Sequence, residues 1–134
     1  MGNKNFNELI AAATEVRKFS QSKYSDFAVG AALLTQDGEI ITGCNVESSS
    51  FGLTICAERV ALTKALSEGK LNFTHIAIIG PGDDYCPPCG ACRQLLYDYA
   101  PDVHVILVKK NQIKMITLKE LLPLAFEETR LRKS

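Results

Sequence analysis

His75-Ile76-Ala77-Ile78-Ile79 is a mostly apolar run broken at Gly80-Pro81-Gly82, and Val103-His104-Val105-Ile106-Leu107-Val108 is a second one, with Pro87-Pro88-Cys89-Gly90-Ala91-Cys92 between them. Short apolar runs bounded by turn formers read as buried strands. Pro87-Pro88 opens a helix between the two, and Pro88 suits the first helical position, where a missing N–H costs nothing. The helix continues to about Tyr99 and ends near Pro101. Strand, helix, strand is the alternation of an α/β chain.

The rest of the chain extends this pattern. Phe6, Leu9, Ile10, Ala13, Val16 and Arg17 recur at helical spacing, which predicts an amphipathic helix over about residues 5–20. Tyr24 to Phe27 form a polar–aromatic connector. Ala28 to Leu34 read as a strand, Asp37-Gly38 as a hairpin turn, and Glu39 to Cys44 as the returning strand. Residues 45–53 form a polar loop. Thr54 can cap a helix that runs through Cys56 and Glu58 to Ser67 and is stopped by Gly69. Residues 112–116 add an edge strand, and Thr117 to Leu122 a short helix. There are no repeats. The expected fold is a three-layer α/β/α sandwich with a mixed central sheet of about five strands, in one domain over residues 1–134.

Composition narrows the function classes. A chain of 134 residues that is 46% hydrophobic can bury a real core. Fifteen basic and fifteen acidic residues cancel, so nothing favours a nucleic-acid partner. No run of roughly 18 apolar residues exists to cross a membrane. Met1-Gly2 resembles the start of a myristoylation signal, but Phe6 stands where Ser or Thr is needed. The polar start leads into an amphipathic stretch and does not read as a signal-peptide core. Five cysteines, at 44, 56, 86, 89 and 92, make a disulfide framework the weaker reading. Clustered thiols in a reducing compartment more often bind metal, and a cytoplasmic location is expected.

The chemistry lies in Cys56-Ala57-Glu58-Arg59 and in Pro88-Cys89-Gly90-Ala91-Cys92. Cys89 and Cys92 are three apart, on one face of a first helical turn, and can grip one ion. Residues 56 and 58 would diverge by about 200° in mid-helix, but at a helix start both reach a ligand lying over its mouth. Three sulfur ligands leave one position for water, as in catalytic zinc sites, whereas structural sites are closed by four. One Zn²⁺ with three thiolates carries a net negative charge. Arg59 is the local group that can offset it by donating hydrogen bonds to the sulfurs. Glu58 is then the proton carrier.

A Cys ligand, a Glu two residues on and a distant P-C-x-x-C is the arrangement of zinc deaminases. With Tyr24-Ser25-Asp26-Phe27-Ala28-Val29-Gly30-Ala31-Ala32-Leu33-Leu34, Gly43-Cys44-Asn45-Val46-Glu47, Arg93-Gln94 and Glu120-Leu121-Leu122-Pro123, the chain resembles the homotetrameric cytidine deaminases along most of its length. The resemblance implies hydrolysis of cytidine and 2′-deoxycytidine to uridine and 2′-deoxyuridine with release of ammonia, in pyrimidine salvage. A zinc-activated water would attack C4 while Glu58 moves protons. It further implies that Asn45 and Glu47 hold the ribose, that Phe27 lies against the pyrimidine, and that the Ala57 backbone with Glu58 reads the cytosine amide edge. Phe126 would reach the base from a neighbouring subunit of a homotetramer, with one zinc per subunit. Three positions depart from the usual pattern: Ser48 where Asn is common, Phe51 where Tyr is, and Leu124 where Gly is.

Blander readings stand beside these. Cys86 offers a rival Cys86/Cys89 register, although Pro87 and Pro88 inside that pair favour a spare thiol near the metal. Cys44 reads as a small core residue, and His75 and His104 as ordinary strand-edge histidines. Without the resemblance, Phe27 is core, Asn45 and Glu47 are a solvated face, and Phe126 anchors the C-terminal segment. Thr129 to Ser134 reads as an exposed tail. The alternative functions are a deaminase of a modified or antibiotic cytosine nucleoside such as blasticidin S, and a non-catalytic zinc module closed by Cys44 or Cys86.

Overall fold

A computed structural model describes residues 2–131, with side chains from Phe6 onward. In chain order the elements are α1 (Gly2–Val16), β1 (Gly30–Thr35), β2 (Ile40–Cys44), α2 (Ala57–Ser67), β3 (Phe73–Ile79), α3 (Gly90–Tyr99), β4 (His104–Lys109), β5 (Gln112–Thr117) and α4 (Leu118–Leu121). The five strands form one sheet in the order β2-β1-β3-β4-β5. Its pairs are antiparallel except β3 with β4, which run parallel across the α3 crossover.

Strand periodicity divides the core in two. Ala31, Leu33, Ile76, Ile78, Val105 and Leu107 turn to one face, against Ala57, Ala61, Leu62 and Ala65 of α2 and Leu96 of α3. Ala32, Leu34, Ala77 and Ile106 turn to the other, against Leu9 and Ala13 of α1. The three layers and the mixed five-stranded sheet are those expected. No helix among the described residues is long and apolar enough to cross a membrane.

Boundaries differ where side chains compete for the backbone. The first helix gives way to a 3₁₀ turn at Arg17–Phe19. β1 begins at Gly30 and not Ala28, because the Asn45 amide takes the Val29 N–H and the Phe27 carbonyl. The polar loop 45–53 holds a 3₁₀ turn at Phe51–Leu53, and Val46 within it bridges both Gln21 and Ile55. The hairpin turn is as read: Gly38 adopts φ 95° and the Thr35 hydroxyl donates to Asp37. Thr117 caps α4 with a full capping box closed by Glu120. Of the tail read at 129–134, a 3₁₀ turn at Glu128–Leu131 covers the first part, and residues 132–134, like Met1, lie outside the described residues.

Gly43 brings α2 against the sheet. A Cβ there would stand 2.4 Å from the Ala61 nitrogen and 2.6 Å from the Ala57 carbonyl oxygen, both backbone atoms that cannot swing aside. Gly43→Ala should therefore push α2 off β2 and cost about 1–3 kcal/mol, the range for overpacking, read as a lowered urea midpoint.

His75 and His104 are in register on β3 and β4, their rings stacked 5.3 Å apart, with Phe6 4.6 Å beyond His75. They are strand-edge histidines, as read. Burial first, and the neighbouring His104 second, hold His75 below the ordinary imidazole range. The unfolded chain therefore takes up this proton at higher pH than the folded one. The contribution of His75 to stability falls as pH drops below about 6.5 and levels off once the folded imidazole is also protonated. Urea midpoints of the wild type and of His75→Gln at pH 7.5 and pH 5.5 isolate this contribution: on acidification the wild-type midpoint should fall relative to that of His75→Gln.

Candidate active site

The two motifs meet at the mouths of α2 and α3, as their spacing predicts, but each helix starts later than the capping residues suggest. Thr54 does not cap α2: its hydroxyl accepts from Ser48 N, and Ile55 is held extended against Val46. Cys56 is itself the N-cap residue. Cys89, not Pro88, precedes α3 in the same role, and Gly90 opens the helix. Neither cysteine makes a side-chain capping bond. Arg93 fixes the second motif by donating to the Pro88 carbonyl (2.8 Å) and to the Leu121 carbonyl (2.7 Å).

The sulfurs of Cys56, Cys89 and Cys92 all lie within 4.8 Å of one another. Cys56 to Cys89 is 3.9 Å and Cys89 to Cys92 is 3.4 Å. A tetrahedral zinc with bonds of about 2.3 Å requires sulfurs about 3.8 Å apart. The trio therefore fits that ion. Among the described residues it is the only group of three or more Cys, His, Asp or Glu arranged to hold a metal, and Cys44 and Cys86 stand outside it.

Charge is graded across the cluster. Hydrogen bonding from Cys92 first, then from Arg59, pulls the Cys56 thiol down to about 5. Cys92 moves the opposite way: its bond to Cys56, and then burial, raise its thiol. An Arg59 Nη lies 3.6 Å from the Cys56 sulfur and donates to the Thr54 carbonyl at 3.2 Å, while Arg59 Nε is buried without a partner among the described residues. Glu58, in the first turn of α2, is 4% exposed. Burial above all, with the charge of Cys56 adding, raises its carboxyl to about 7. Such a group can both accept and return a proton at neutral pH. Ala57, buried beside it, opens the helix, where backbone N–H groups have no intrahelical acceptor.

Asn45 and Glu47 are tied to the segment that precedes β1. Asn45 is buried; its Oδ1 accepts from Val29 N and the Ser20 hydroxyl, and its Nδ2 donates to the Phe27 carbonyl. Glu47 accepts from Tyr24 N, Ser25 N and the Ser25 hydroxyl. Ser25 Oγ in turn accepts from Phe27 N, across Asp26 in a left-handed conformation. The two residues therefore anchor the loop that presents the half-exposed Phe27. Sequence reasoning missed this linkage; the signal available was Asp26, a residue type that tolerates positive φ. Tyr24, Ser25, Glu47, Ser48, Phe51 and Thr54 line an open cleft of about 340 Å³. Phe126 is 54% exposed, and Gln94 of α3 donates to its carbonyl.

Residues 3–109 match the family model described as the cytidine and deoxycytidylate deaminase zinc-binding region. The chain belongs to this family. A cytidine deaminase of Halalkalibacterium halodurans is 48% identical over 120 residues, spanning 88% of this chain and 91% of that protein. A blasticidin-S deaminase of Bacillus cereus is 36% identical, over 89% of this chain and 90% of its own. The crystal structure of cytidine deaminase from Burkholderia pseudomallei superposes with a TM-score of 0.85 at 42% identity, covering 90% of this chain and 98% of that one. Membership in a zinc-binding deaminase family agrees with the donor set, and zinc is the metal of this site.

Leu124 has φ 54° and is fully exposed. A left-handed backbone costs a branched side chain about 1–2 kcal/mol and costs glycine little.

Proposed function

We propose that this chain hydrolyses the 4-amino group of cytidine and 2′-deoxycytidine, giving uridine or 2′-deoxyuridine and ammonia, in pyrimidine salvage. The observation that carries the reading is the grouping of three sulfurs within 4.8 Å at two helix mouths, with the buried Glu58 two residues from the first. Cys56, Cys89 and Cys92 would hold zinc, which when bound makes water acidic enough to attack at neutral pH. Glu58 takes a proton from the attacking water and delivers it to N3 of the ring. It then carries the second water proton to the amine leaving C4, so that N3 keeps a hydrogen and ammonia departs. Arg59 offsets the negative charge on the sulfurs. Phe27 lies against the pyrimidine, the Ala57 backbone with Glu58 reads its amide edge, and Asn45 and Glu47 bind the ribose while anchoring the Phe27 loop.

The exposed Phe126, Leu124 and Leu131 near the C-terminus support assembly into a homotetramer in which Phe126 completes a neighbour's site. Zero net charge favours a free nucleoside over a base within a nucleic acid, and a cytoplasmic setting suits free thiols.

The test is the loss of the cytosine ultraviolet band when purified protein meets cytidine, deoxycytidine or blasticidin S, each with and without a zinc chelator. Turnover of both plain nucleosides, abolished by the chelator, is expected. Turnover of the antibiotic alone would overturn the substrate assignment.

A further inference from the structure

Cys86 stands outside the sulfur trio and packs instead against Gly80, the residue that follows β3. A Cβ placed on Gly80 would lie 2.8 Å from Cys86 Cβ, 2.9 Å from its Sγ and 3.7 Å from the ring tip of Phe27. The Gly80 backbone, the Cys86 thiol and the Phe27 ring therefore converge on one point. Cys86 also feels the charges of Glu58, Arg17 and Cys56; burial, and then Glu58, push its thiol up to about 11, so at neutral pH it is an uncharged filler. It leans on the core of the α2–α3 face. Cys86 thus stands by Phe27, the group assigned to the face of the base, and three residues before Cys89, one of the sulfurs assigned to the metal beside the reacting carbon.

We propose that Cys86, allowed to sit back by the missing side chain of Gly80, sets how much bulk the site accepts on the cytosine ring beside the reacting carbon. This rests on the reading of the site as a cytidine-deaminating centre. C4 has three neighbours. Glu58 serves two of them, N3 and the amine, so a wall beside the Phe27 ring tip and next to the metal-binding turn is left to meet the third, C5. Cytosine nucleosides substituted at C5 are the substrate class whose acceptance Cys86 governs.

The experiment compares kcat/KM for cytidine and 5-methylcytidine on the zinc-loaded protein and on Cys86→Ala, Cys86→Ser and Cys86→Ile. Cys86→Ala should shift the ratio toward the methylated substrate by about tenfold, since one methyl group in a fitted pocket is worth about 10–200-fold. Cys86→Ser, of equal size, should keep the wild-type ratio, Cys86→Ile should shift it the other way, and all three should keep their zinc. Gly80→Ala, which drives Cys86 forward, should lower kcat/KM for cytidine by about tenfold, and Gly80→Ala/Cys86→Gly should restore it. Unchanged ratios in both Cys86→Ala and Cys86→Ile overturn the inference, as does a serine variant that shifts as far as alanine, or zinc loss in Cys86→Ala. If Gly80→Ala does not fold, the Cys86 ratios alone decide. A wild type inactive on cytidine removes the function on which the inference rests, whereas an active wild type with unshifted ratios defeats the inference alone.

Discussion

Glu58→Gln should keep its zinc and lose about 10⁴-fold in kcat for cytidine, the upper end of what one acid–base group supplies. The loss is large because the same carboxylate is asked to move two protons in succession, and an amide can neither accept the first nor return it. The substitution conserves size at a position that is 4% exposed, so packing in the first turn of α2 should survive. Zinc content by atomic absorption, set beside turnover, separates this outcome from a merely structural role. A Glu58→Gln protein with substantial turnover would remove Glu58 from the mechanism. One that had lost its zinc would show that the carboxylate supports the metal and does not carry the protons.

Cys56→Ala, Cys89→Ala and Cys92→Ala should each fall from about one zinc per chain to a small fraction of it, with turnover falling in parallel. Removal of one sulfur leaves a pair that cannot hold the ion against competing buffer ligands. Cys92→Ala should in addition lose stability, because this residue is fully buried in the first turn of α3 and its loss leaves a cavity. Cys44→Ala should retain metal and activity: Cys44 ends β2 opposite Gly30 and belongs to no ligand group among the described residues. Zinc loss from Cys44→Ala would instead support a closed four-thiolate module.

Much of this was legible in the sequence for a simple reason. Period-two runs such as Ile76-Ala77-Ile78 and Val105-Ile106-Leu107 must send alternate residues to opposite faces, and a sheet apolar on both faces must be covered on both. The metal trio was legible because its spacing makes sense only at helix starts. What spacing could not show was which residue starts the helix. Thr54 is the better capping residue by type, but Ser48 occupies its hydroxyl, and the cap falls to Cys56. The start of β1 falls later than the apolar run suggests for a related reason, since Asn45, sixteen and eighteen residues away, takes the backbone groups of Val29 and Phe27. Cys86 reads in sequence as half of a second C-x-x-C. Only folding sets it against Gly80 and Phe27, partners that no local pattern names. Phe27 and Phe126 look like misplaced core residues until a base and a neighbouring chain are supplied, and the resemblance alone gave them roles.

The account depends on three sulfurs, and no more, holding the metal. X-ray absorption at the zinc edge on the purified wild-type protein measures this directly. Three sulfur neighbours near about 2.3 Å and one lighter donor is the predicted result. Four sulfur neighbours, with no lighter donor, would contradict it.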